Sequence, residues 1–224
     1  MFPRTKCFGF SLLIVVIGMA LVIGPLVGSP AGAAEKSPGA DTDKVDLPLT
    51  PGRTLEFTAT EGTWISLDVS PDGRTIAFDL LGDLYTLPFG GGVATRITHG
   101  MGFDAQPRFS PDGKKLVYVS DENGSDNVWL LDMETKVRKP LTKGKTENYV
   151  SPEWAPDGEY IVVSRSSGVF QPPALWLLHV DGGSGAPLIK IPGDEKKPRQ
   201  QKTKTLGAAF GDDPRYVWYA QRTG

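Results

Sequence analysis

The sequence predicts an all-β chain: an incomplete β-propeller of four-stranded antiparallel blades, about three and a half of them, preceded by a signal peptide and a linker. Three observations predict it. The nonapeptide SPDGRTIAF at residues 70–78 returns as SPDGKKLVY and APDGEYIVV, with the aspartates of the corners, Asp72, Asp112 and Asp157, 40 and 45 residues apart. Self-similarity at a period of about 40–45 residues built from short strands is the signature of propeller blades. Each copy has room for four short strands, and the strands around Leu116–Val119 are apolar on both faces, as sheets covered on both sides require.

From the N-terminus, Arg4 and Lys6 precede a long apolar stretch broken by Gly18, Gly24 and Pro25, and small residues follow. That order is the n-region, h-region and cleavage site of an export signal, assigned to residues 1–33 with the cut after Ala33, or after Ala34 as the second choice. An uncleaved anchor is the rival, because Leu12–Val27 approaches the roughly 17–25 residues that span a bilayer. Either outcome places the remainder outside the cytoplasm, periplasmic or extracellular, with membrane contact only through this segment. Cys7, the single cysteine, lies before the apolar stretch, so the mature chain holds no disulfide and depends on its own core.

Residues 34–52 are rich in Pro, Asp, Lys and Thr and poor in large apolar residues, which predicts a disordered linker. The folded part is assigned to residues 53–224. Its first segment, RTLEFTATEGTW, alternates Leu55, Phe57 and Ala59 on one face and reads as a strand that completes the last blade of a ring.

The blades follow at 62–98, 103–142 and 148–189, with an incomplete one at 206–224. In each, a strand (SLDVS, QPRFS, SPEWA) runs into Pro-Asp-Gly. A second strand (RTIAFDL, KKLVYVS, EYIVVSR) and a third (DLYTLP, NVWLLD, ALWLLHV) come next, and a short closing strand reaches RIT, PLT or PLI. Proline presets φ for a type I turn, aspartate bonds back to nearby backbone, and glycine takes the positive φ that restarts the strand. Asp72, Asp112 and Asp157 are therefore structural turn residues. In the faint fourth copy Phe210 stands where Phe109 and Trp154 stand, Asp213 where Asp112 stands, and Tyr216–Tyr219 form the second strand. Too few blades are present to close a ring of four to eight. The expectation is that these residues are the front portion of something longer, or that partner strands come from another chain.

Few residues invite a chemical role. The net charge is −2, so no global field recruits polyanions and nucleic acid is not a partner. The basic stretch Lys190–Lys204 lacks interleaved aromatics and reads as a solvated loop. DENGSDN at Asp121–Asn127 is oxygen-rich, but lacks the bidentate glutamate of a calcium loop and also reads as a solvated connection. His99 and His179 are isolated and read as ordinary residues. No Gly-x-Ser-x-Gly elbow, P-loop or paired-cysteine motif occurs. Trp64, Trp129, Trp154, Trp176 and Trp218 read as blade packing at near-equivalent positions. No catalytic, cofactor-binding or metal-binding residue is assigned.

The W/F-S-P-D-G-K/R-x-I/L-A/V-F/Y blades resemble the WD40-like (PD40) repeats of TolB-like propellers, the periplasmic Tol-system family, over nearly everything from Trp64 onward. Residues 61–98 with the following FDAQPRFSPDGKKLVYVSDENGSDNVWLLD also look like the N-terminal propeller of large exported proteins that continue into a metal-dependent amidohydrolase barrel. The resemblance implies a noncatalytic propeller acting in substrate access or interaction, with the hydrolase chemistry and its divalent metal in a catalytic domain absent from this chain. The alternative it implies is a periplasmic propeller that binds protein partners in the cell envelope. A third possibility is a degraded reading frame with no stable product.

Overall fold

The computed structural model describes residues 53, 55–168, 171–211 and 213–222, all within one compact unit spanning 46–224. The segment assigned as an export signal, with Cys7, and the whole of the assigned linker lie outside the described residues.

Three antiparallel sheets of four strands and one of two follow each other along the chain. Blade 1 is β1 Leu67–Val69, β2 Thr75–Leu80, β3 Asp83–Pro88 and β4 Thr95–Arg96. Blade 2 is β5 Asp104–Phe109, β6 Lys115–Ser120, β7 Asn127–Asp132 and β8 Arg138–Pro140. Blade 3 is β9 Asn148–Trp154, β10 Tyr160–Ser166, β11 Ala174–His179 and β12 Ala186–Pro187, and the fourth sheet is β13 Lys204–Phe210 with β14 Val217–Arg222. Within each blade neighbouring strands are sequential, as in a meander. From blade to blade the first strands meet, β1 with β5, β5 with β9 and β9 with β13, and each also meets the second strand of the blade before it, β5 with β2, β9 with β6 and β13 with β10. The first strands are the innermost of the stack.

The corners form as their chemistry requires. In blade 1 the Gly73 amide donates to the Ser70 carbonyl at 2.8 Å, and the Ser70 amide donates to Thr75 O at 2.8 Å to restart the ladder. Gly73, Gly113 and Gly158 take φ of 71°, 72° and 72°, a region costly for side-chain-bearing residues. Ser70 and Ser110 add a third device: each hydroxyl donates to the following aspartate, Asp72 or Asp112, at 2.6 Å and accepts the amide of Thr75 or Lys115 at 2.9 Å. That hydroxyl first, and the Arg74 or Lys114 amide next, hold both carboxyls below the ordinary value of 3.8. A depressed folded-state pKa contributes stability at neutral pH that is lost as pH falls through the folded value.

In blade 3 the corner residue is Ala155, and Asp157 is left with only the Glu159 and Tyr160 amides at 2.9 and 3.4 Å. Ala155→Ser rebuilds the missing pair of bonds in a buried position. It is expected to raise stability by about 1 kcal/mol, read as an increased urea midpoint at unchanged slope.

A second repeated device closes each blade. The amides of Ile97, Leu141 and Leu188 donate to the carbonyls of Leu84, Val128 and Leu175, each at 2.8 Å. The amides of Leu84 and Val128 in turn donate to the hydroxyls of Thr98 and Thr142 at 2.8 and 2.9 Å. Blade 3 has Ile189 where those threonines stand, and the Leu175 amide donates instead to Thr205 Oγ1 of the fourth sheet at 3.0 Å.

Alternating side chains of each middle strand pack in opposite directions. Leu116, Tyr118, Trp129 and Leu131 of blade 2 meet Ala77 and Leu84 of blade 1, while Val117, Val128 and Leu130 meet Tyr149, Trp154, Ile161 and Val163 of blade 3. On its other side blade 3 sends Val162 and Leu175 against Ala208, Phe210 and Val217. Each fully buried aliphatic side chain in these seams stabilises by about 1.5–3 kcal/mol relative to exposure.

Three expectations need correction. Residues 55–65 form no strand, because a strand exists only where a neighbouring edge accepts its ladder; Leu55 and Phe57 are exposed. Blade 1 stands at one end of the described stack, so its outer face is not covered by a blade among the described residues; Phe78, Leu80 and Tyr85 line, with Leu55–Gly62, an open groove of about 940 Å³. The fourth sheet begins at Lys204 and not 206. The basic stretch is not wholly irregular: it contains 3-10 turns at Asp194–Lys196 and Arg199–Gln201, with Lys197 Nζ 2.6 Å from Asp194 Oδ1.

Candidate functional site

The innermost strands carry the most regular chemistry of the molecule. Each of β5, β9 and β13 holds one extra residue that shifts the register, at Gln106, Ser151 and Gly207. The corners place these three at the same point of the repeat, and all three have positive φ, 58°, 53° and 58°. Such a bulge turns one amide out of its own ladder. Each of these amides donates to the preceding blade: Gln106 N to Asp79 Oδ2 at 2.8 Å, Ser151 N to Gln106 Oε1 at 2.6 Å, and Gly207 N to Ser164 Oγ at 3.0 Å. Asp79 and Ser164 occupy the same place in their second strands. Val119 holds that place in blade 2 and cannot accept a hydrogen bond, so the Gln106 side chain supplies the oxygen.

Two residues further along, Asp68, Arg108 and Glu153 come into register as an alternating-charge strip across β1, β5 and β9. The Phe109 amide donates to Asp68 Oδ2 at 2.8 Å, and Arg108 Nη1 donates to Leu67 O at 3.1 Å. Arg108 Nε lies 3.5 Å from Glu153 Oε2, and the Trp154 indole donates to Arg108 O at 3.0 Å. Burial raises the Glu153 carboxyl, Arg108 opposes that rise and Asp68 reinforces it. The fourth member of the series is Ala209, where the alternation stops.

This strip can recognise charge and hydrogen-bonding groups. It places no nucleophile beside a base. The residues weighed in the sequence are scattered around it. His99 is exposed, and His179 sits edge-on to the Tyr160 ring at 5.0 Å with Asp181 Oδ2 3.6 Å from its Nδ1. No three His, Cys, Asp or Glu side chains converge as a metal site among the described residues.

The DENGSDN loop is ordered by the chain itself. Asp121 Oδ1 accepts the Phe103 amide at 2.7 Å, and Asn123 Oδ1 accepts Asn127 Nδ2 at 3.0 Å. Of the tryptophans, Trp129 and Trp154 are buried in seams and Trp176 is half-buried, but Trp64 and Trp218 are 99% and 70% exposed. These two do not occupy the packing positions expected of them, because they stand on the outer blades of the described stack. The sequence reading missed Asp79, Gln106, Ser164 and the charged strip. Aligning all repeats on their corners, rather than reading each for motifs, would have brought Asp68, Arg108 and Glu153 together.

The family model described as the tricorn protease N-terminal beta propeller domain matches residues 69–220. The chain belongs to this family. The tricorn-type propeller also resembles an uncharacterised protein of Agrobacterium fabrum, 29% identical over 136 residues that cover 56% of this chain and 46% of that protein. It is 35% identical to the Tol-Pal system protein TolB of Francisella tularensis over 79 residues, 33% of this chain and 18% of that one. Among solved structures, one assigned to TolB from Agrobacterium tumefaciens superposes with a TM-score of 0.52 at 26% identity, covering 58% of this chain and 50% of that one. TolB from Acinetobacter baumannii superposes with a TM-score of 0.53 at 21% identity, covering 74% and 42%, and shows the shared fold. The tricorn-type propeller thus spans half or less of each of these relatives, and its repeats are TolB-like.

Proposed function

We propose that this chain works outside the cytoplasm as an envelope propeller that docks a protein partner, as a noncatalytic interaction module. The observation that carries the reading is the alternating-charge strip on β1, β5 and β9: Asp68, Arg108 and Glu153 line up across three blades with their side chains partly exposed, and no nucleophile–base pair stands beside them among the described residues. Similarity to a Tol-Pal system protein supports the envelope and the protein partner, and the n-, h- and cleavage-region order of residues 1–33 supports export. The reading as the access propeller of a metal-dependent amidohydrolase rests on the resemblance of residues 61–98, and the relatives found favour docking over it.

The test is cross-linking in the intact envelope with the full chain, wild type against Arg108→Met, each checked for an unchanged circular dichroism spectrum. The expected result is a discrete cross-linked protein whose yield falls several-fold in the variant. A cross-linking pattern indistinguishable from that of an unrelated exported propeller would remove the proposal, and metal-stimulated amide or lactone hydrolysis by the purified chain would contradict both readings, since each leaves this chain without catalytic groups.

A further inference from the structure

A groove of about 680 Å³ runs along the seam between blades 2 and 3, walled by Pro140, Leu141 and Lys143 on one side and by Tyr149, Arg165 and Trp176 on the other. Arg165, near the end of β10, is its best-defined polar group. Its guanidinium carbon lies 4.2 Å from the centre of the Trp176 ring and 5.9 Å from that of Tyr149. Nη2 donates to Glu147 Oε1 at 3.0 Å, and among the described residues no other nitrogen of this guanidinium has an acceptor; Nε is buried without one. Glu147 is itself fully engaged, because its Oε2 accepts the Lys145 and Thr146 amides at 3.2 Å each.

Stacking and the Glu147 bond fix the guanidinium in one orientation, so a ligand bound there does not have to order a long side chain. Lys139 and Lys143 also line the groove, exposed and without ion-pair partners among the described residues. Against these three cations stand Glu147 and Asp181, the latter 87% exposed. The lining is therefore net positive by one charge. That balance suits a monoanion, and two carboxylates close by disfavour a dianion such as phosphate. Pro140, Leu141 and Trp176 supply an apolar wall beside the charge.

We propose that the groove between blades 2 and 3 binds a carboxylate carried next to an apolar group, with Arg165 as the anchor, Lys139 and Lys143 as the supporting field, and Trp176 as the apolar wall. Two sources share this chemistry, the C-terminal residue of a polypeptide and an acidic side chain. The inference does not depend on the docking role of the inner strands, since the groove and the strip are separate surfaces.

The test is a titration of the full, isotope-labelled chain followed at the Arg165 Nε–H and Trp176 indole N–H resonances. N-acetyl-leucine is expected to shift both saturably, and N-acetyl-leucinamide, which lacks the carboxylate, to shift neither. A glutamate capped at both backbone ends separates the two sources: a match to N-acetyl-leucine means that any monocarboxylate suffices, and weaker binding assigns the site to a chain terminus. Arg165→Lys keeps the charge and loses the planar fork, and is expected to weaken binding roughly tenfold. The double variant Lys139→Gln/Lys143→Gln leaves the packed seam untouched, so it tests the site even if Arg165→Lys fails to fold; a several-fold weakening is expected. No saturable shift, equal response to the amide, unaltered binding in the lysine double variant, or phosphate binding as tightly as the carboxylate would each overturn the inference.

Discussion

Asn127→Ala is expected to destabilise the chain by about 3 kcal/mol, the cost of leaving several buried polar groups unpaired at once. Asn127 opens β7 and is fully buried. The two hydrogens of its Nδ2 are shared among Asn123 Oδ1, Ser125 O and Gly144 O, each at 3.0 Å, and its Oδ1 accepts from Thr142 Oγ1 at 2.7 Å and from Gly144 N at 2.8 Å. One amide side chain therefore ties the second-to-third-strand loop of blade 2 to the segment that leaves its fourth strand. Asn127→Asp preserves the shape but turns a donor into an acceptor facing three acceptors, so it is expected to cost at least as much as alanine at neutral pH. Urea unfolding at pH 7 decides: a loss below 1 kcal/mol for either variant would mean that this network is not a structural knot.

The second large effect is at Trp154. Its side chain is 4% exposed and belongs to the cluster that joins Val117, Val128 and Leu130 of blade 2 to Ile161 and Val163 of blade 3. Trp154→Ala opens a cavity in that seam and removes the indole bond to Arg108 O, with an expected cost of about 3–5 kcal/mol. Trp154→Phe keeps most of the volume and loses the bond, and should cost about 1 kcal/mol. The difference between the two variants, measured by denaturant unfolding, separates packing from hydrogen bonding. Equal losses in both would assign the whole effect to the bond and contradict the packing of the seam.

The blades were legible in the sequence because their corners are local chemistry. Proline, aspartate and glycine act within a few residues of one another, so the same three letters give the same turn at Asp72, Asp112 and Asp157, with a serine before them in the first two. The fourth copy keeps only the aspartate of the corner, Asp213, and was legible from the spacing of its flanking strands: Phe210 pairs with Val217 as Phe109 pairs with Leu116. What joins one blade to the next was not legible. The acceptor for the bulge amide is Asp79 on β2, then Gln106 on β5, then Ser164 on β10, three residue types from two different strand positions of the blade that no pattern in one repeat connects. The hydroxyl that caps the third strand likewise moves from Thr98 and Thr142 to Thr205 when Ile189 takes their place. Trp64 and Trp218 were misjudged because residue type reports a preference for burial, whereas burial needs a neighbour. The alternation of Leu55, Phe57 and Ala59 misled for the same reason.

The central claim is that the repeats stack as blades through an amide that each inner strand gives to the blade before it. Hydrogen exchange at the amides of Gln106, Ser151 and Gly207 tests it most directly. The account predicts that all three are protected in the wild type, and that Asp79→Ala exposes Gln106, Gln106→Ala exposes Ser151, and Ser164→Ala exposes Gly207, each with little change at the other two. Amides that exchange freely in the wild type, or single variants that release all three together, would contradict it.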